Sequence, residues 1–254
     1  MKKSFLNFQI DHLTLLVDPG LYAPAYLLFR ILFGVGKEDI LYEKRKEWEK
    51  GRGEVSMTFA VRVGKDAGES PEMRNAIFAV VQPSEPASQS SHVREMLNAH
   101  SAAAHWQHVA LRTPDLIAFH QHALERGVNF ITPILRDESE DLIQVFSGEL
   151  YHPAGKPSAV FFEFVQRNPT PEAVKMLEER NREAWFRDTT FLGLYQEKEN
   201  EYRSGKVVPF LDVELHHALK KVAGGRQVFE LSEADVAEAE RLMLAHGSKG
   251  AVKA

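Results

Sequence analysis

Two stretches of this chain begin and end alike, and that repeat narrows the folds open to it more than any other feature. The first opens with Gln9-Ile10-Asp11-His12-Leu13-Thr14-Leu15-Leu16-Val17, the second with Trp106-Gln107-His108-Val109-Ala110-Leu111-Arg112-Thr113. In each, a histidine starts a run of aliphatic and β-branched residues suited to a strand. Asp18-Pro19-Gly20 or Pro114-Asp115 then supplies turn and helix-entry chemistry. Helical spacing follows, more apolar and less regular from Tyr22 to Phe33, clearer at Leu116, Phe119, His120, Ala123 and Leu124, where Gly127 closes it. The endings also match: Asn75-Ala76-Ile77-Phe78-Ala79-Val80-Val81-Gln82-Pro83 against Ala159-Val160-Phe161-Phe162-Glu163-Phe164-Val165-Gln166-Arg167. Glu54 to Val63 and Leu142 to Phe146 are strand candidates in between. Each unit therefore predicts strand, helix and about three strands. One such sheet leaves a face and its edges open, whereas two side by side close a shared cup. The expected class is α+β, with two βαβββ modules paired into one open, ligand-holding β-cup.

Module one is expected over 8–83 and module two over 106–168. Between them, 84–105 forms a linker that starts rich in Pro and Ser and carries a short helix from His92 to Asn98. Charged and aromatic helical stretches, Thr170 to about Glu183 and Phe186 to Tyr202, are expected to cover the sheet over 169–204. Together these make one domain, 1–204. Residues 205–254 read as a helical extension in which Ser232 caps a helix that stops at Gly247.

Composition removes whole classes of function. The 254 residues include no cysteine, which excludes thiol nucleophiles, iron–sulfur clusters and thiolate zinc sites. Any metal must sit on His, Asp, Glu, backbone oxygen or water. Lys and Arg number 31 against 36 Asp and Glu, a net charge of −5 that offers no footprint for nucleic acid or an anionic membrane. No apolar run suits a transmembrane helix, and Met1–Gln9 lacks the apolar stretch of a secretory leader, so the expected location is the cytoplasm.

Most of the 11 histidines read as solvent-facing or structural. His12 and His108 differ because the repeat makes them equivalent. With the modules related by a pseudo-two-fold axis, the two rings face one another at the centre of the cup. Glu163 is the acid expected to join them, since a carboxylate within Phe161-Phe162-Glu163-Phe164-Val165 must be paired or coordinate a cation. The plainer alternative is an edge-strand acid that reaches solvent or an arginine. Two His and one carboxylate with open positions suit a non-haem Fe(II) oxygenase. Ala79, the counterpart of Glu163 in module one, cannot bind a metal, so the set stops at three.

Around these residues the sequence resembles the catalytic half of the 4-hydroxyphenylpyruvate dioxygenase family, of the vicinal oxygen chelate superfamily. The resemblance rests on Ile10-Asp11-His12-Leu13-Thr14, Gln107-His108-Val109-Ala110-Leu111, Leu142-Ile143-Gln144-Val145-Phe146 and Phe161-Phe162-Glu163-Phe164-Val165-Gln166-Arg167, in that order. It implies His12, His108 and Glu163 as iron ligands, and Gln144 and Gln107 as active-site glutamines. Phe146 and Phe191 are implied to face one another across the substrate, and Phe186 pairs with Phe191 in the late segment Phe186-Arg187-Asp188-Thr189-Thr190-Phe191. For Phe146 and Phe191, plain core packing is the alternative. The implied reaction takes O₂ and a 2-oxo acid, releases CO₂ and hydroxylates the same substrate, with no separate 2-oxoglutarate.

The chain departs from the family where substrate is recognised. Ser91-His92-Val93-Arg94 stands in place of Ser-Gln-x-Gln, so Arg94 becomes a candidate for a further acidic group on the substrate, or else a solvated helix residue. Arg187-Asp188-Thr189-Thr190 replaces a glycine-rich lead-in, and the loop carrying Tyr151-His152-Pro153-Ala154-Gly155 is longer. The family's usual N-terminal pair of modules has no counterpart before His12. An extradiol ring-cleaving dioxygenase, with His152 and Tyr151 as acid–base partners, is the first alternative. A binding module without turnover is the second, and a glyoxalase-like lyase or epimerase ranks lower because of Ala79. The exposed edges of a single cup suggest a homodimer.

Overall fold

Strand β1 (Gln9–Val17) runs directly into Asp18, whose carboxylate accepts from the Gly20 amide at 2.8 Å and caps helix α1 (Pro19–Leu32). In the computed structural model, which describes residues 3–64, 75–138, 140–180 and 191–251, chain order continues with β2 (Ile40–Glu47), β3 (Glu54–Val63) and β4 (Ala76–Val81). After helix α2 (His92–His100) come β5 (Ala104–Arg112), α3 (Leu116–Leu124), β6 (Leu135–Asp137), β7 (Leu142–Glu149) and β8 (Phe161–Arg167). A strand, a helix and three strands thus occur twice, as the repeat predicts, and the fold class is α+β. Helices α4 (Pro171–Arg180), α5 (Phe191–Ser204), α6 (Val213–Ala223) and α7 (Glu233–Ala251) complete the chain.

The chain divides into two compact units. One comprises Gln9–Leu111 and Tyr195–Gly205. Its strands run in the order β2-β3-β4-β1-β5. β2 pairs with β3 and β3 with β4 antiparallel, while β1 and β4 run parallel with Thr14 opposite Ala79. Helix α1 covers one face, where Tyr22 and Tyr26 meet Phe59 at ring distances of 5.0 and 5.4 Å over Val17, Val61 and Val80. Side chains alternate across a strand. Leu15 and Val17 therefore belong to the helix-covered face, and His12, Thr14 and Leu16 to the other.

The second unit comprises Met1–Phe8, Arg112–Leu194 and Lys206–Ala254. Its strands are ordered β8-β7-β6, all antiparallel. Phe119 of α3 packs on Phe164 of β8 at 4.5 Å, and Phe8 joins them. Directly opposed residues of an antiparallel pair share a face. Phe146 opposes Glu163 and Gln144 opposes Val165, so these four lie on the face turned away from Phe164 and α3. The Thr113 amide, just beyond β5, donates to the Val165 carbonyl at 2.9 Å.

Gly247 does not end the last helix. α7 continues to Ala251, and a Cβ on Gly247 would lie 2.2 Å from the Glu125 carbonyl oxygen. The glycine lets α7 approach the end of α3 closely, a tertiary reason that helix-stop chemistry imitates. Among the described residues no helix is long and apolar enough to cross a membrane.

Candidate metal centre

Two histidines from different strands of the first unit converge. Nε2 of His12 on β1 lies 3.3 Å from Nε2 of His108 on β5, with the rings nearly perpendicular at 79°. Two nitrogens each about 2.1 Å from one ion stand about 3.0–3.4 Å apart for bond angles between octahedral and tetrahedral, so the observed separation fits two ligands of a common metal. The Asp11 carboxylate, nearly buried, contacts Nδ1 of His12 at 3.1 Å. A carboxylate there accepts a hydrogen bond from Nδ1–H, which leaves the lone pair on Nε2. The Thr14 hydroxyl lies 2.8 Å from Nε2 of His108 and on the same strand face as His12. Ala79 opposes Thr14 and brings no donor atom.

Glu163 is on β8 in the second unit and is only 3% exposed. Phe146 across the strand pair is equally buried and packs with Phe161 and Leu194, against Ile131 and Leu135. Gln144 lies two residues along the same face, with its amide also buried. Carboxylate, amide and aromatic wall are thus neighbours, because β7 and β8 keep register up to the irregularity that follows Phe146. An ionised carboxylate among such residues is stabilised by a cation.

His12, His108 and Glu163 each have one metal-ligating atom to offer. Two imidazoles and one carboxylate suit a divalent ion of intermediate hardness. Their chemistry, the depth of Glu163 and the spacing of the two Nε2 atoms all fit such a group.

Gln107 precedes His108 by one residue and so projects from the opposite face of β5. It is buried there, its Nε2 3.5 Å from Nε2 of His92 on α2. Burial, reinforced by the Lys198 charge, pushes the pKa of His92 down to about 3, so the ring is neutral. Arg94, one turn into α2, donates to the carbonyls of Glu85 at 2.8 Å and Gln89 at 3.1 Å, which ties the helix to the linker before it. Phe186 lies outside the described residues. Phe191 begins α5, and its side chain is likewise outside them.

Sequence reasoning missed three participants. Asp11 was legible as an acid beside a histidine, and Thr14 as a residue two along from it on a strand. Lys198 of α5 carried no signal, since the helix reads as solvated. Its side chain is fully buried, with the ammonium 2.5 Å from Glu201.

No protein-family model and no curated protein matches the chain. Solved structures do. A variant of 4-hydroxymandelate synthase from Streptomyces coelicolor is 19% identical over 64% of this chain, with a TM-score of 0.46. The match spans half of that synthase's length, 50%. Methylmalonyl-CoA epimerase from the same organism is 17% identical over 63% of this chain and 98% of its own, TM-score 0.42. The Mycobacterium tuberculosis epimerase is 19% identical over 69% of this chain and 96% of its own, also with a TM-score of 0.42.

Proposed function

We propose that His12, His108 and Glu163 together hold one Fe(II) ion, and that the protein is a dioxygenase resembling 4-hydroxyphenylpyruvate dioxygenase. Its substrates would be O₂ and an aromatic or related 2-oxo acid. The observation that carries the reading is the His12–His108 contact, Nε2 to Nε2 at 3.3 Å, on a strand face not covered by α1. Ala79 supports a three-ligand set over four, and open positions suit a chelating substrate and O₂. When bound, Fe(II) supplies Lewis acidity toward the 2-oxo acid and electrons for the reduction of O₂.

The chain's own residues do the rest. Asp11 orients His12 and selects its tautomer. In the metal-free protein the Thr14 hydroxyl holds the His108 ring through Nε2, the nitrogen that would bind the metal. Phe146 gives Glu163 an apolar neighbour that excludes water, and Gln144 offers a buried amide, both donor and acceptor, on the same face. The extradiol alternative has less support. The Tyr151 hydroxyl donates to the Val207 carbonyl at 2.8 Å, and Nδ1 of His152 accepts from the Ala154 amide at 3.1 Å.

The test is anaerobic loading with Fe(II), then O₂ consumption and CO₂ release with 4-hydroxyphenylpyruvate, phenylpyruvate, aliphatic 2-oxo acids and catechols. Uptake with stoichiometric CO₂ from a 2-oxo acid is expected, and its loss in His12→Ala and Glu163→Ala with circular dichroism unchanged. Uptake with catechols alone would replace this reading with ring cleavage. Iron binding with no uptake across the panel would leave a binding module in its place.

A further inference from the structure

Helix α1 is apolar on both sides. Tyr22, Tyr26 and Phe29 meet the sheet, yet Leu21, Leu27, Leu28, Ile31, Leu32 and Phe33 are exposed, Ile31 by 73% and Leu32 by 70%. At 100° per residue, all but Phe33 fall in a stripe about 140° wide, directly opposite the face that packs. From Pro19 to Phe33 the one charged residue is Arg30. The five side chains of the stripe open roughly 500 Å² of apolar surface to water, within the range of the largest patch on a monomer.

We propose that this face of α1 is a docking surface for a second copy of the chain. The stripe alone supplies more than half of the ~800 Å² that each partner contributes to a standard interface. A two-fold axis across α1 sets the helix against its own copy antiparallel, so the two helix dipoles oppose and leucine meets leucine. One arginine per helix brings little like-charge repulsion. A bilayer surface fits less well, because helices that lie in a lipid interface carry a lysine- and arginine-rich polar face. Here Arg30 is the sole basic residue of the helix and the net charge is −5. The inference does not depend on the metal reading, since α1 covers the sheet face opposite His12 and Thr14.

The experiment is sedimentation equilibrium on the full chain and on Leu28→Glu/Ile31→Glu, with circular dichroism as the folding control. Both residues are exposed, so the fold should survive the change. A wild-type dimer is expected, with the double variant at least about 100-fold weaker in self-association, because a carboxylate buried in an apolar contact lacks a partner. The chain has no cysteine, so Leu28→Cys, at the centre of the stripe where the two-fold axis brings it against its own copy, gives a second readout. Mild oxidation should convert it to a disulfide-linked dimer faster than Val236→Cys, a similarly exposed site on α7. A monomeric wild type, or a double variant that still dimerises, overturns the proposal. So does a monomer that sediments with phosphatidylcholine vesicles and loses that binding in the double variant, which would assign the face to lipid.

Discussion

The Asp11 carboxylate lies 3.1 Å from Nδ1 of His12, and this contact decides which ring nitrogen carries the lone pair. With Nδ1–H donating to Asp11, the Nε2 lone pair turns toward His108. Neighbouring residues of a strand normally serve opposite faces, yet here one orients the other. Asp11→Ala is expected to weaken divalent-metal affinity by about 10–100-fold, the usual cost of losing a partner that orients a ligand. Anaerobic calorimetry with Fe(II) or Co(II) measures it. Unchanged affinity would mean that strand packing alone holds the ring.

Thr14 makes the opposite kind of contribution. Its hydroxyl occupies Nε2 of His108 at 2.8 Å, so a metal arriving there must displace it. Thr14→Val should cost the metal-free protein about 1 kcal/mol in urea unfolding and tighten metal binding about 5-fold, since the displaced hydrogen bond no longer opposes it. Weaker binding in Thr14→Val would assign the hydroxyl to holding the metal-loaded ring instead.

His92 links stability to pH. Its folded-state pKa is about 3 because the ring is buried, against about 6.5 in the unfolded chain. As pH falls below 6.5 the unfolded chain takes up the proton first, so this contribution is complete above about pH 7 and fades toward pH 3. The slope is a little over 1 kcal/mol per pH unit. His92→Gln should flatten the acid limb, measured as urea midpoints at pH 7, 6 and 5. Parallel profiles for the two proteins would remove His92 as the cause.

Close approach of α7 to α3 makes Gly247 intolerant of any side chain. Gly247→Ala places a Cβ against the Glu125 and Leu124 carbonyls, which belong to backbone and cannot swing away. A loss of about 1–3 kcal/mol is expected, although alanine is the better helix former. Thermal unfolding gives the sign, and a stabilised variant would show that the helix slides without penalty.

Aligned repeats are visible in a sequence because strand alternation and turn chemistry are local. His12 and His108 could be matched, Glu163 stood out as an acid among phenylalanines, and a strand–helix–three-strand order could be inferred for both modules, although β2 and β6 were not placed. Faces could be read too: Phe161, Glu163 and Val165 separate from Phe162 and Phe164 by alternation alone. Tertiary structure decided the contacts made across elements. It set the two Nε2 atoms 3.3 Å apart, put Gln107 against His92, and engaged Arg94 with the Glu85 and Gln89 carbonyls. It buried Lys198 in a helix whose composition looks solvated, and it gave Gly247 a role in packing where local chemistry reads a helix stop. Periodicity says which face a side chain takes, but what waits on that face depends on residues distant in the chain, and only packing brings them there.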